Sequence, residues 1–225
     1  MDANRKISIM GIVNLTDDSY FAESRCTDVQ AAMDRIAALV DEGADIIDIG
    51  ACSTRPGSLP VGADEEWRRL EPVLKAFREN FQNVTLSIDT YWASVVQKAF
   101  ALVGPFIVND ISAGEADPEM LPTVGRLRLK YVAMHMRGTS ENMQSLTDYN
   151  DVVEDVLEYF RNFSKKAEIH GINDWILDPG FGFAKTLEQN YTLLNGLSEI
   201  KAGMGHRKVL VGVSRKSMIY RLLGT

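Results

Sequence analysis

Short apolar runs alternate with longer amphipathic stretches along the whole chain. Seven runs read as strands, at residues 7–13, 45–49, 84–89, 106–109, 131–135, 175–178 and 208–213. Each is rich in Ile, Val or Leu without strict polar alternation, as expected of a sheet buried on both faces. The stretches between them carry helix signals. Thr27 and Gln30 have capping-box spacing, and Gly43 is placed to end the helix they would open. From Asp151 to Ile169, Val152, Val153, Val156, Leu157, Phe160, Phe163 and Ala167 fall on one face, and Gly171 is the stop. Thr186 and Gln189 repeat the capping-box spacing after a glycine-rich turn.

This rhythm predicts seven βα units with no internal linker. Polar residues close the seven strands: Asn14, Asp48, Asp89, Asn109, His135, Asp178 and Ser214. The six steps from Asn14 to Ser214 take about 33 residues each, close to one βαβ repeat. The fold class expected is α/β, a TIM (β/α)8-type barrel, with seven βα units visible and the eighth missing from this chain. The doubly wound alternative announces itself by a glycine-rich turn after its first strand, and Asn14-Leu15-Thr16-Asp17-Asp18 is not one. A single, C-terminally incomplete domain over residues 1–225 is expected.

Composition narrows the classes. With 45% apolar and 24% charged residues, the chain is neither disordered nor collagen-like. A net charge of −7 without a basic stripe argues against a nucleic-acid partner. No apolar stretch is long enough to span a bilayer, and the first residues lack the form of a signal peptide, so a cytoplasmic protein is expected. Cys26 and Cys52 have neither CxxC spacing nor disulfide-framework density, and His135, His170 and His206 form no HxH or HExxH arrangement.

The candidate chemistry lies at the strand ends, where barrel enzymes build their active sites. Ser53-Thr54-Arg55-Pro56-Gly57 offers a guanidinium fork and a hydroxyl suited to phosphate, against the plainer reading of a surface turn. Ser214-Arg215-Lys216-Ser217 sets two cations and a hydroxyl beside a helix N-terminus, which favours anions. Gly180-Phe181-Gly182-Phe183-Ala184-Lys185 fails both phosphate-loop and dinucleotide spacings and reads as a turn that brings Asp178 close to a site.

Taken together these segments resemble dihydropteroate synthase, the folate-pathway enzyme inhibited by sulfonamides. The resemblance rests on Met10-Gly11-Ile12-Val13-Asn14-Leu15-Thr16, Asp48-Ile49-Gly50 with Ser53-Thr54-Arg55-Pro56-Gly57, and Ser87-Ile88-Asp89-Thr90. It continues through Val108-Asn109-Asp110-Ile111-Ser112, Met134-His135-Met136-Arg137-Gly138-Thr139, Asp178-Pro179-Gly180-Phe181-Gly182-Phe183 and Ser214-Arg215-Lys216-Ser217. The segments fall in order over nearly the whole chain.

The resemblance implies condensation of 4-aminobenzoate with dihydropterin-methyl diphosphate, releasing diphosphate. It assigns Asp89, Asn109, Asp178 and Lys216 to the pterin, with Asp89, Asp178 and Lys216 as the catalytic set. It places Thr54 towards the diphosphate, and Mg²⁺ on the Asn14 amide oxygen. Pro56, Phe183, Lys216 and Ser217 surround the aminobenzoate, while Thr16, Arg55 and Arg215 support the loops. It also implies a homodimer. A pterin-binding methyltransferase domain and a non-catalytic pterin binder are the alternatives; the Thr54-Arg55 and Arg215-Lys216 pairs favour the synthase.

The chain departs from the family in four places. The proline and two glycines typical of the first loop are replaced within Asp17-Asp18-Ser19-Tyr20-Phe21-Ala22-Glu23-Ser24, with Glu23 one position from the missing acid. Cys52 and Arg137 stand where a polar residue and a Gln are usual. The Arg-x-His pair that ends the family's eighth strand would lie beyond Thr225.

Overall fold

The computed structural model describes residues 7–15, 25–52, 61–139, 142–205, 207–214, 216 and 218–219. Within the single domain expected, two compact units are distinguished: Met1–Ser53 with Leu59–Asn109, and Thr54–Ser58 with Asp110–Thr225.

In the first unit, β1 (Met10–Asn14), β2 (Ile46–Gly50), β3 (Thr85–Asp89) and β4 (Ile107–Asp110) pair in parallel, each with the next. The helices α1 (Arg25–Asp41), α2 (Ala63–Asn80) and α3 (Ala93–Val103) are the crossovers that parallel strands require. Ile47, Ile49, Leu70, Leu74, Ile88 and Val95 are fully buried between sheet and helices. Each such side chain contributes roughly 1.5–3 kcal/mol relative to exposure. Gly43 ends α1 as expected: with φ +100 it lets its own N–H and that of Ala44 reach back to the carbonyls of Val40 and Leu39.

Two expectations are corrected here. The α1 helix begins at Arg25, so Thr27 and Gln30 lie inside it rather than at its cap. Gln30 instead donates to Asp34, one turn on, at 2.8 Å. Strand β1 starts at Met10, not residue 7, and it is not buried on both faces. Ile12 is 56% exposed in mid-strand, on the face opposite to the buried Gly11 and Val13.

In the second unit, β5 (Lys130–Met134) pairs in parallel with β6 (Trp175–Asp178), and α4 (Met120–Leu127) precedes them. The long α5 (Val152–Ile169) lies between them in sequence and buries the seven residues its periodicity predicts. Asp151 caps it, accepting from the N–H groups of Val153 and Glu154. The two helices α6 (Leu187–Asn195) and α7 (Leu197–Gly203) follow, and the capping box at Thr186 and Gln189 is formed in both directions. The expected seventh strand, 208–213, is reduced to one bridge between Leu177 and Val209. Its backbone still exchanges bonds with Leu177 through Lys208 and Leu210, at 3.0 and 2.7 Å.

Asp110, the last residue of β4, is a buried hub. Its carboxylate accepts from the Ser112 N–H and hydroxyl, the Gly114 N–H and the Tyr131 hydroxyl, at 2.5–2.9 Å. Burial pushes its pKa up and the four donors offset part of that. The hub holds the turn after β4, where Ala113 and Gly114 both have positive φ.

Candidate active site

In the first unit the register aligns the strand ends. Asn14 lies opposite Gly50, Gly50 opposite Asp89, and Asp89 opposite Asn109. One row across four strands therefore brings together three predicted site residues. Gly50 is the gap in that row. A Cβ there would sit 3.1 Å from Cβ of Asp89 and 3.2 Å from its Oδ2, so glycine leaves the carboxylate room.

Two residues deeper on the same face, Asp48 of β2 lies opposite Ser87 of β3. Both are buried. Ser87 Oγ donates to Asp48 Oδ1 at 2.5 Å, and Asn109 Nδ2 donates to Asp48 Oδ2 at 3.0 Å. Burial raises the Asp48 pKa, against the pull of these two donors. Sequence reasoning counted Asp48 among the polar strand ends of the rim but gave it no role. The signal was its period-two spacing from Gly50, which puts it under the row.

Further from the row, Cys52 is buried with its Sγ 3.6 Å from the Tyr91 hydroxyl. Glu66, in the first turn of α2, is fully buried, and neither carboxyl oxygen has a hydrogen-bond partner. Desolvation raises its pKa to about 7, with Thr90 and Arg69 near enough to offset only part of the rise.

In the second unit, Asp178 closes β6 and is 8% exposed. Its Oδ1 accepts from the Gly180 N–H at 2.8 Å. Burial raises its pKa; the Gly180 bond and the cations Lys216 and Lys185 pull it back. Lys216 donates to the Phe181 carbonyl, and its Nζ lies 4.8 Å from the centre of the Phe183 ring. Burial lowers the Lys216 pKa, and Asp178 opposes that. Three predicted residues, Asp178, Phe183 and Lys216, are thus brought together.

The turn between them is tightly built. Gly180 has φ +68, and a Cβ there would meet the His135 carbonyl oxygen at 2.0 Å. Lys185, which sequence reasoning counted on the polar rim without a role, is buried behind it. Its Nζ lies 3.0 Å from His135 Nδ1 and from the carbonyls of Gly180 and Phe183. Desolvation and the neighbouring cations hold the His135 pKa near 2, so this imidazole is neutral and only weakly basic. Arg137 turns towards α5: its guanidinium pairs with Asp155 at 3.0 Å and stacks 3.7 Å from the Tyr149 ring.

Thr16, Thr54, Arg55, Pro56, Arg215 and Ser217 lie outside the described residues, as does Glu23. Asn14 is exposed at the end of β1. Among the described residues no group of three or more His, Cys, Asp or Glu side chains could hold a metal. The exposed Asn14 offers a single amide oxygen at the strand end, a hard donor of the kind magnesium takes alongside water and phosphate.

A family model described as pterin binding enzyme matches residues 10–225. The chain belongs to the pterin-binding enzyme family. Within that family it falls among the dihydropteroate synthases. It is 39% identical to the dihydropteroate synthase of Synechocystis sp., covering 99% of this chain and 76% of that one. The solved Xanthomonas albilineans dihydropteroate synthase with 4-aminobenzoic acid matches at 38% identity and TM-score 0.86, over 96% of this chain and 76% of that one. The Clostridium difficile dihydropteroate synthase, solved in the presence of pteroic acid, matches at 35% identity and TM-score 0.89, over 100% and 82%. Against the bifunctional folate-synthesis proteins of Pisum sativum and Arabidopsis thaliana, the chain spans 45% and 42% of the relative's length. The fold is that of the family, α/β of the (β/α)8-barrel type.

Proposed function

We propose that this chain carries dihydropteroate synthase activity, joining 4-aminobenzoate to dihydropterin-methyl diphosphate. The observation that carries the reading is Asp178, a buried carboxylate with one backbone donor and two cations for company. A pterin's aminopyrimidinone edge is rich in N–H donors, and an acceptor-only carboxylate is its natural complement. Such donors would favour the ionised form of Asp178 further. Asp89 and Asn109 are assigned to the same ring, and Lys216 to an acceptor on it.

In this reading the bond between the methylene carbon and diphosphate breaks before or well ahead of the attack by the amine. Electron release from the ring and the negative field of Asp89 and Asp178 stabilise the cation so formed. The arylamine is neutral at pH 7 and needs no strong base, which agrees with a neutral His135. Phe183 and Lys216, with Pro56 and Ser217, are assigned to the aminobenzoate, so sulfonamides would compete there. Thr54 is assigned to the diphosphate, with Thr16, Arg55 and Arg215 as support. Asn14 would hold Mg²⁺, which when bound supplies charge neutralisation of the diphosphate.

A homodimer and a cytoplasmic setting belong to the same proposal. Among the described residues, no helix is long and apolar enough to cross a membrane. The test is incubation of the full chain with both substrates and Mg²⁺, following diphosphate release. Release that depends on 4-aminobenzoate supports synthesis. Pteroic acid binding without turnover would reject catalysis in favour of a binder.

A further inference from the structure

We infer that Asp48 is a positioning residue that fixes which hydrogen-bonding face Asn109 presents to the ligand. The inference rests on the pterin reading of Asn109 and deepens it.

An asparagine amide is ambivalent: one end donates twice, the other accepts twice. At a recognition site a free amide could rotate to suit either a donor or an acceptor, and would discriminate poorly. Asn109 is not free in this way. Its Nδ2 donates to Asp48 Oδ2 at 3.0 Å, across the width of β3. The acceptor is itself anchored, because Ser87 Oγ occupies the other carboxylate oxygen at 2.5 Å. Asp48 and Ser87 are 3% and 0% exposed, so neither can exchange its partner for bulk water.

With both oxygens of Asp48 taking donors, from Ser87 and from Asn109, the carboxylate faces the NH₂ end of the amide and not the oxygen. Asn109 is thereby turned with Oδ1 and one N–H left for the ligand. The oxygen is the end that the carboxylate cannot consume. The position of Asn109 in the row, opposite Asp89, sets two acceptors side by side at the ends of β3 and β4. That pair selects a ring edge bearing donors. A ring presenting an acceptor to Asn109 Oδ1 would leave that oxygen mismatched, which costs affinity.

The same geometry explains the small residue at 87. A hydroxyl of serine size bonds Asp48 from directly across the strand pair. Asp48 makes no claim on the ligand itself and acts through the amide.

A double-mutant cycle tests this, using pteroic acid binding by calorimetry on the full chain. Asp48→Ala should weaken binding about tenfold, the worth of one lost charge-assisted bond. Asp48→Asn should recover most of it, since an amide oxygen at 48 still accepts from Asn109. In an Asn109→Ala background, Asp48→Ala should have no further effect on affinity. A purely structural role would give the same loss in both backgrounds, and that result overturns the inference. So does unchanged affinity in Asp48→Ala. Should Asp48→Ala fail to fold, Ser87→Ala supports the same cycle: a loss of a few-fold that vanishes without Asn109 upholds it, and an equal loss in both overturns it. Failure of the wild-type chain to bind pteroic acid would reject the pterin reading itself, a distinct outcome.

Discussion

Lys185 Nζ lies 3.0 Å from His135 Nδ1, and the same nitrogen reaches the carbonyls of Gly180 and Phe183 at 3.0 Å. Three acceptors around one nitrogen match the three donors of an ammonium group. Burial opposes that charge and pulls the Lys185 pKa from 10.5 to about 7, with Asp178 opposing the fall. Facing the protonated form of Lys185, the neutral imidazole accepts at Nδ1 and carries its proton on Nε2. The pair forms the floor beneath the turn that carries Asp178.

This pair has a pH signature. A lysine whose folded value is depressed binds fewer protons than the unfolded chain between pH 7 and 10.5. Stability therefore rises with pH across that window and is lowest below it. Lys185→Met should remove this slope, measured as urea unfolding at pH 7 and pH 9.5. The same variant should weaken pteroic acid binding, because Gly180 and Phe183 lose their shared donor.

Gly180→Ala should be severe. The added methyl would lie 2.0 Å from the His135 carbonyl oxygen, at a φ of +68 that L-residues rarely adopt. The turn must shift, carrying the N–H that Asp178 accepts from. A loss of about 2–4 kcal/mol of stability is expected from strain and displaced packing. Thermal unfolding against wild type checks it.

Asp178→Ala should abolish pterin binding. It removes the buried acceptor and leaves the Gly180 N–H and Lys216 without their carboxylate. Calorimetry with pteroic acid measures this, and unchanged affinity would sink the ring assignment.

Glu66→Gln should stabilise the chain at neutral pH. The carboxyl of Glu66 is raised to about 7, so the folded state holds a proton that the unfolded chain releases near pH 4.5. Its contribution is complete below that point and is lost as pH climbs through 7. A neutral amide escapes the loss, so the variant should gain on wild type between pH 5 and 8. The gain is on the order of 3 kcal/mol at most. Paired urea titrations at those pH values settle the direction.

How much of this was legible beforehand depends on the range of the forces involved. The seven buried positions of α5 and the Thr186 capping box could be read because each depends on neighbours within a few residues. The start of α1 was misread, since Thr27 carries a cap-like pattern whether or not the helix already runs through it. The extent of the seventh strand was misread because an apolar run does not by itself say how many of its residues will pair, and here the pairing is one bridge from Val209 to Leu177.

The sequence by itself determined the alternation of strands and crossover helices, the carboxylates and amide at the strand ends, and the family that their order identifies. Only the tertiary structure decided that Asp48 and Ser87 hold the amide of Asn109, or that Lys185 stands behind the Asp178 turn. Those contacts link residues 39 to 61 positions apart, or join a lysine to a histidine 50 positions away. Period and propensity report local geometry. Which buried polar groups satisfy one another is fixed by strand register and burial, and these exist only once the chain has closed on itself.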